Sequence, residues 1–102
     1  MRAFDRLIVI QRRDEVTEDW EDVFRLHAFI NKAKQNDEYL NAGSERSNLS
    51  IVFEVRYFRQ LELIGLNTQL YRIVYNGTPF DIKDYDDFMF KHKTVKLLGV
   101  SY

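Results

Sequence analysis

The chain has 102 residues, 45% of them hydrophobic, and no cysteine, so a disulfide framework, a thiolate zinc site and a cysteine nucleophile are excluded. Its 15 basic and 16 acidic side chains leave a net charge of −1, which argues against tight binding to phosphate backbones. No apolar run approaches the roughly 20 residues of a membrane span, so we expect one soluble, unexported domain over residues 1–102.

The first third of the chain predicts two strands. Residues 4–13, FDRLIVIQRR, form a short run that is β-branched in its middle and charged at its ends. Residues 20–31 alternate like a strand but also fit one apolar face of a helix. The polar connector between the two segments, residues 14–19, is short and suits a hairpin, so we favour a strand.

Residues 32–46 differ in character from the segments on either side. They contain no β-branched residue and several good helix formers, and Gly43 is a candidate for the residue that ends a helix. This composition predicts one short helix, or an ordered loop, between strands 2 and 3.

Residues 48–58 show the clearest strand pattern in the chain. One face is apolar and consists of Leu49, Ile51, Phe53, Val55 and Tyr57. The other face mixes apolar and charged side chains and includes Val52, Glu54, Arg56 and Phe58. The alternation predicts that the first face is buried, and the second face is either plainly exposed or covered by a neighbouring molecule.

The last part of the chain predicts a hairpin and a final strand. Residues 59–69 suggest an irregular connection broken at Gly65, and Asn76-Gly77 between two alternating runs is a strong hairpin signal. Pro79 lacks an N–H and is expected at the start of its strand. Residues 92–102 predict the last strand. The fold class is therefore mainly β, a small antiparallel β-barrel or sandwich of about six strands, and we favour the barrel.

The sequence gives little indication of catalysis. It has none of the common nucleotide-binding or hydrolase motifs, and its two histidines, His27 and His92, fall in a predicted strand and a basic turn. The acidic stretches at residues 14–22 and 81–87 lack the glycine and spacing of a calcium loop, which favours solvated charge over a metal site. We expect no enzyme activity, no cofactor and no metal.

The order of these segments resembles the bacteriophage head–tail joining proteins, also called head-closure or stopper proteins. The similar segments are RLIVIQRR, Trp20 followed by VFRLHAFI, NDEYLNAGS, FEVRYF, YRIVYNGTPFDIKDYDD and TVKLLGVSY. The chain departs from the family pattern in two places. The first turn has no glycine, and His27 stands where a Trp commonly precedes the alanine.

The resemblance implies a structural protein of the virion neck that is made in the host cytoplasm. It would form a homo-oligomeric ring on a portal or adaptor protein, close the channel after DNA packaging and offer a platform to tail proteins. DNA would pass through without specific binding, and no membrane is involved. The candidate ring or docking contacts are Lys34, Glu38, Tyr39, Glu54, Arg56 and Phe58.

Two other functions fit the same residues. Basic and aromatic side chains alternate in RYFR, residues 56–59, and small barrels bind single-stranded nucleic acid through such patches. A tail-completion protein with a similar small β-fold is the other alternative, and the sequence hardly separates it from a head-closure protein.

Overall fold

The computed structural model describes residues 4–32, 49–87 and 91–101. Six strands and one short α-helix follow each other in these ranges. They are β1 (Arg6–Arg13), β2 (Trp20–Lys32), β3 (Ser50–Arg56), α1 (Glu62–Leu66), β4 (Tyr71–Tyr75), β5 (Thr78–Asp87) and β6 (Thr94–Ser101). The prediction of a mainly β fold with six strands is confirmed. The helix or loop predicted for residues 32–46 lies outside the described residues, apart from Lys32 at the end of β2.

The strands form one antiparallel sheet that closes on itself. Their order is β1-β2-β3-β6-β5-β4, and β4 pairs back with β1 between Val9–Arg12 and Tyr71–Val74. The 13-residue strand β2 makes this possible because its first part pairs with β1 and its last part with β3. The register shifts between Ile10 and Gln11 and again between Ile82 and Asp84. Such irregularities bend strands and increase their twist, which a closed sheet requires.

The inward side chains of the closed sheet make one core. The fully or almost fully buried members are Ile8, Ile10, Ala28, Ile51, Phe53, Val55, Leu61, Ile64, Tyr71, Ile73, Phe80, Ile82, Val95 and Leu97. Phe53 lies at the centre, with its ring edge-to-face against Phe80 at 5.4 Å and against Tyr75 at 6.0 Å. A Cβ at Gly99 would lie 2.9 Å from the Phe53 ring, so this position in β6 has room only for glycine.

The connection from β3 to β4 is more regular than the sequence indicated. A 3₁₀ turn (Arg59–Leu61), the helix α1 and a second 3₁₀ turn (Thr68–Leu70) follow one another, and Gly65 lies inside α1. The prediction of a break at Gly65 is therefore wrong. The glycine has a packing role instead, because a Cβ there would lie 2.8 Å from the ring of Tyr85.

Both tight turns have identifiable chemistry. Asn76 and Gly77 have φ angles of 52° and 75°, as a two-residue type I′ hairpin requires, so the predicted hairpin is confirmed. In the β1–β2 turn the Asp14 carboxylate accepts hydrogen bonds from the N–H groups of Val16 and Thr17. Glu18 takes the left-handed conformation there, with φ of 64°. Glu18 therefore adopts a backbone conformation that ordinarily favours glycine, in a turn whose N–H groups Asp14 satisfies.

Candidate functional site

Two apolar areas lie on the outside of the closed sheet. The first, named here the β1–β4 face, consists of Leu7, Val9, Val74 and Pro79. Val9 pairs with Val74, which pairs with Pro79, so three strands contribute to one continuous row. Leu7 is 51% exposed. This area is a candidate contact surface because its apolar side chains face outward rather than towards the core.

The β1–β4 face is bordered by Arg25 and His27 on the neighbouring strand β2. Arg25 pairs with Val9, and His27 pairs with Leu7, and both side chains are exposed. The carboxylate nearest to Arg25 is that of Asp22, at 3.8 Å, in an exposed pair that contributes little to stability. The Arg25 guanidinium is therefore available to a partner of opposite charge.

The second area, named here the β3–β6 face, consists of Phe29, Val52, Leu98 and Val100. Val52 pairs with Leu98 across β3 and β6. All four side chains are partly exposed. In the closed order of strands the β3–β6 pair lies opposite the β1–β4 pair, so the two apolar areas occupy opposite sides of the molecule.

The border of the β3–β6 face is acidic. Strand β5 points three aspartates outward beside it, where Asp81 pairs with Val100, Asp84 with Leu98 and Asp86 with Lys96. Asp84 and Asp86 are exposed. The sequence showed this acidic run, and the structure adds that its carboxylates lie along one edge of an apolar surface.

The outward residues that the sequence indicated on β3 have different environments. Glu54 is only 4% exposed and lies between Phe29 and Lys96 in the sheet. Arg56 is exposed, and its guanidinium carbon lies 4.8 Å from the centre of the Phe4 ring. Their role as docking contacts stays a prediction.

Phe58 follows the end of β3 and belongs to the edge of the core. Its ring is edge-to-face with Phe24 at 5.1 Å, and it packs against the buried cluster. A docking role for Phe58 is untested, and its partly buried ring would contribute through its remaining exposed edge. The other candidates, Lys34, Glu38 and Tyr39, lie outside the described residues.

The inward face predicted for residues 49–57 is confirmed in its centre, at Ile51, Phe53 and Val55. At the two ends the pattern weakens. Leu49 precedes β3 and is 37% exposed, and Tyr57 follows it and is partly buried. The strand is therefore shorter at both ends than the alternation indicated.

A group of polar side chains surrounds the start of α1. The Tyr57 hydroxyl donates a short hydrogen bond to the Glu62 carboxylate, and this bond raises the pKa of Tyr57. The Tyr57 ring also stacks on the His92 ring, with centres 4.4 Å apart. These contacts attach the β3–β4 connection to the turn that precedes β6.

His92 is held by Asp87, a contact that sequence reasoning missed. The two Asp87 oxygens contact the His92 backbone N–H at 3.0 Å and its Nδ1 at 2.5 Å. The residue has φ of 55°, which L-residues rarely adopt, and the Asp87 contacts stabilise it. The sequence gives no specific sign of this contact. An aspartate five positions before a histidine, here in the basic sequence KHK, is common in ordinary turns.

Tyr85 lies beside this group, and its hydroxyl is buried. The hydroxyl has no hydrogen-bond partner within the described part of the chain. Burial, with a smaller effect of the neighbouring carboxylates Asp87 and Glu62, raises the pKa of Tyr85 to about 12. The tyrosine therefore stays neutral at physiological pH.

Among residues 4–32, 49–87 and 91–101 no three His, Cys, Asp or Glu side chains converge as metal ligands would. In the same ranges no helix has the length and apolar character needed to cross a bilayer.

The described residues thus define a small antiparallel β-protein whose distinctive chemistry lies on two outer faces. The chain belongs to the phage head completion protein family, whose sequence model matches residues 3–98. This membership confirms the resemblance drawn from the sequence, and it gives the chain a structural role in the phage virion. No curated protein sequence matches the chain.

Proposed function

We propose that this protein is a neck component of a tailed phage or prophage that assembles as a ring. The ring closes the portal channel after DNA packaging and provides the platform on which the tail docks. The observation that carries the proposal is the family match over residues 3–98, almost the whole chain.

The surface of the molecule supports a ring. A ring needs two different surfaces on each subunit, so that one surface of a copy meets the other surface of the next copy. The β1–β4 face and the β3–β6 face meet this requirement, because they differ in their residues and lie on opposite sides of the closed sheet.

The charge of the molecule suits a channel through which DNA passes. Each cation that contacts a phosphate adds a salt-dependent hold on DNA. The net charge of −1 and the exposed carboxylates in the β1–β2 turn and on β5 keep this hold weak. We propose that DNA is retained by physical closure and not by binding.

The protein acts without catalysis in this proposal. Two titratable pairs among the described residues, Tyr57 with Glu62 and Asp87 with His92, fix the β3–β4 connection and the turn before β6. Both pairs thereby have a structural role, and no substrate or cofactor is required to account for them.

A barrel that binds single-stranded nucleic acid is the second candidate, and one groove favours it. The groove is lined by aromatic and basic side chains, among them Phe4, Arg25, His27, Arg56 and Phe58. However, Arg56 already covers the Phe4 ring and Phe24 contacts Phe58, which leaves little aromatic surface for stacking on bases. Fluorescence anisotropy with labelled oligonucleotides at low salt tests this function, and micromolar binding would support it over the neck role.

Deletion of the gene in the phage or prophage that encodes it tests the proposed function. We expect heads that package DNA but lose it, and free tails that fail to attach, both visible by electron microscopy of the lysate. Expression of the chain from a plasmid should restore complete particles. Complete and infectious particles without the chain would refute the proposal, whereas normal heads carrying defective tails would indicate the tail-completion role.

A further inference from the structure

We propose that adjacent copies of this chain meet head to tail, with the β1–β4 face of one copy on the β3–β6 face of the next. This inference rests on the proposed function and names the contact that would build the ring. It also assigns specific charged residues, Arg25 on one side and Asp84 on the other, to the border of that contact.

The first argument is the chemistry of the two apolar areas. The β1–β4 face presents Leu7, Val9 and Val74 outward, where a water-exposed antiparallel sheet ordinarily has polar side chains. The β3–β6 face presents Val52 and Leu98 in the same way. Bringing such areas together removes apolar surface from water, which is the main favourable contribution in association.

The second argument is the complementarity of charge at the borders. Arg25 and His27 flank the β1–β4 face. Asp84 flanks the β3–β6 face beside Leu98, whereas Asp81 pairs with Arg72 and Asp86 pairs with Lys96. A contact between unlike faces allows the basic border of one copy to lie against the acidic border of the next. A contact between like faces brings together two borders of the same kind and offers no complementary charge, which disfavours that pairing.

The third argument is placement. The two faces lie on opposite sides of the closed sheet, so a contact between unlike faces leaves one free face on each outer copy. A pair of copies therefore cannot satisfy both faces, so further copies add, and they form a closed ring where the rotation between neighbours allows it. A second copy of the chain is thus the occupant that fits each face.

Charge reversal in the encoding phage tests this contact. Arg25→Glu gives the border of the β1–β4 face the same charge as Asp84 of the neighbouring copy. Asp84→Arg gives the border of the β3–β6 face the same charge as Arg25 of the neighbouring copy. Each single variant should lower the titre of infectious particles at least about tenfold. The double variant carries both reversals, so every contact between its copies again joins opposite charges, and its titre should recover. Co-expression of the two single variants should also recover, through alternating copies.

The control is Lys91→Glu, a reversal of charge of the same size at an exposed position outside both faces, which should leave the titre unchanged. Thermal unfolding of each purified variant shows that the substitutions leave the fold intact. The inference is overturned if the single variants are as infectious as the wild type, or if the double variant does not recover. Failure of the proposed function looks different, because deletion of the gene would then leave infectivity unchanged.

Crosslinking gives a second, independent measurement. The chain has no cysteine, so Val9→Cys together with Leu98→Cys introduces one thiol on each face. Assembled particles treated with a short bis-maleimide should give a ladder of linked multimers from the double variant and no ladder from either single variant. Dimers from Val9→Cys alone would show that like faces meet and would refute the proposal.

Discussion

Arg72 on β4 lies over the ring of Trp20 at the start of β2, with its guanidinium carbon 4.3 Å from the ring centre. The same side chain donates a hydrogen bond from Nε to Gln11 on β1 at 2.7 Å, and Gln11 donates one to Asp22 on β2 at 2.8 Å. These contacts span three strands on the outside of the sheet. They reinforce the position where β4 returns to β1 and the sheet closes.

Removing the Trp20–Arg72 contact should measure how much this contact contributes to the free energy of unfolding of the closed sheet. A double-mutant cycle with Trp20→Leu and Arg72→Met, followed by urea unfolding, is expected to give a coupling of about 0.5–1 kcal/mol, the range of a partly exposed cation–π contact. The matched control is a second cycle that combines Trp20→Leu with Arg25→Met. Arg25 lies on the same outer surface, and its coupling to Trp20 should be near zero. Equal coupling in the two cycles would contradict the assignment.

Gly65→Ala should destabilise the protein because the new Cβ would lie 2.8 Å from the Tyr85 ring. Glycine inside a helix is ordinarily worse than alanine, so propensity alone predicts the opposite sign. We expect a loss of about 1–3 kcal/mol in the free energy of unfolding, typical of an overpacked site. Chemical denaturation measures it, and the exposed neighbour Leu66→Ala is the control that should change little. A stabilised Gly65→Ala variant would show that α1 shifts without cost.

The strands could be predicted from the sequence because the residues that specify each strand are close together in the chain. In β3 and β4 each inward apolar residue is followed by an outward one, and the alternation of Ile51, Phe53 and Val55 follows directly from the strand period. Asn76-Gly77 likewise determines its own turn through the φ angles it tolerates. Such patterns need no knowledge of distant residues.

The features that the sequence did not predict depend on distant residues. The sequence predicts a break at Gly65, whereas the ring that excludes a side chain there belongs to Tyr85, twenty positions away. The β1–β4 face could not be recognised either, since Val9 and Val74 become neighbours only when the sheet closes. The alternation places Glu54 on the outward, mixed face of its strand, and its burial between Phe29 and Lys96 depends on strands adjacent to β3 on both sides.

Tyr85→Phe should leave stability at neutral pH unchanged or raise it by up to about 1 kcal/mol, because it removes a buried hydroxyl that lacks a partner among the described residues. Tyr57→Phe is the matched control and should be destabilising, since that hydroxyl bonds to Glu62. Urea unfolding at pH 7 compares the two. A marked loss in Tyr85→Phe would show that its hydroxyl has a partner.

The raised pKa of Tyr85 also predicts a dependence on alkaline pH. The hydroxyl ionises near pH 10 in the unfolded chain and at about 12 in the folded one. The unfolded state therefore releases this proton first, so the wild type should lose stability relative to Tyr85→Phe as pH rises from 10 towards 12. Unfolding of both proteins at pH 8 and pH 11 checks the direction. A constant difference between them would contradict the burial of the hydroxyl.

Asp14 should stabilise the β1–β2 turn only while it is ionised. Its carboxylate accepts hydrogen bonds from the N–H groups of Thr17 and Val16, which lower its pKa below the ordinary 3.8. A lowered pKa in the folded state gives stability that is present above the unfolded value and is lost as pH falls through the folded one. Asp14→Ala should therefore lower the melting temperature at pH 7, and its deficit against the wild type should shrink as pH drops below 3.8.

Two further variants distinguish the hydrogen bonds of Asp14 in this turn from a general effect of charge. Their melting temperatures are measured over the same acidic pH range. Asp14→Asn keeps an oxygen that can accept the turn hydrogen bonds but cannot ionise, so it should be less destabilising than Asp14→Ala at pH 7. Glu15→Gln removes a neighbouring charge and has no such bonds in its favour, so its melting curve should follow the wild type across the range. If Asp14→Ala and Glu15→Gln behaved alike at every pH, the carboxylate of Asp14 would be acting through charge alone and not through the turn.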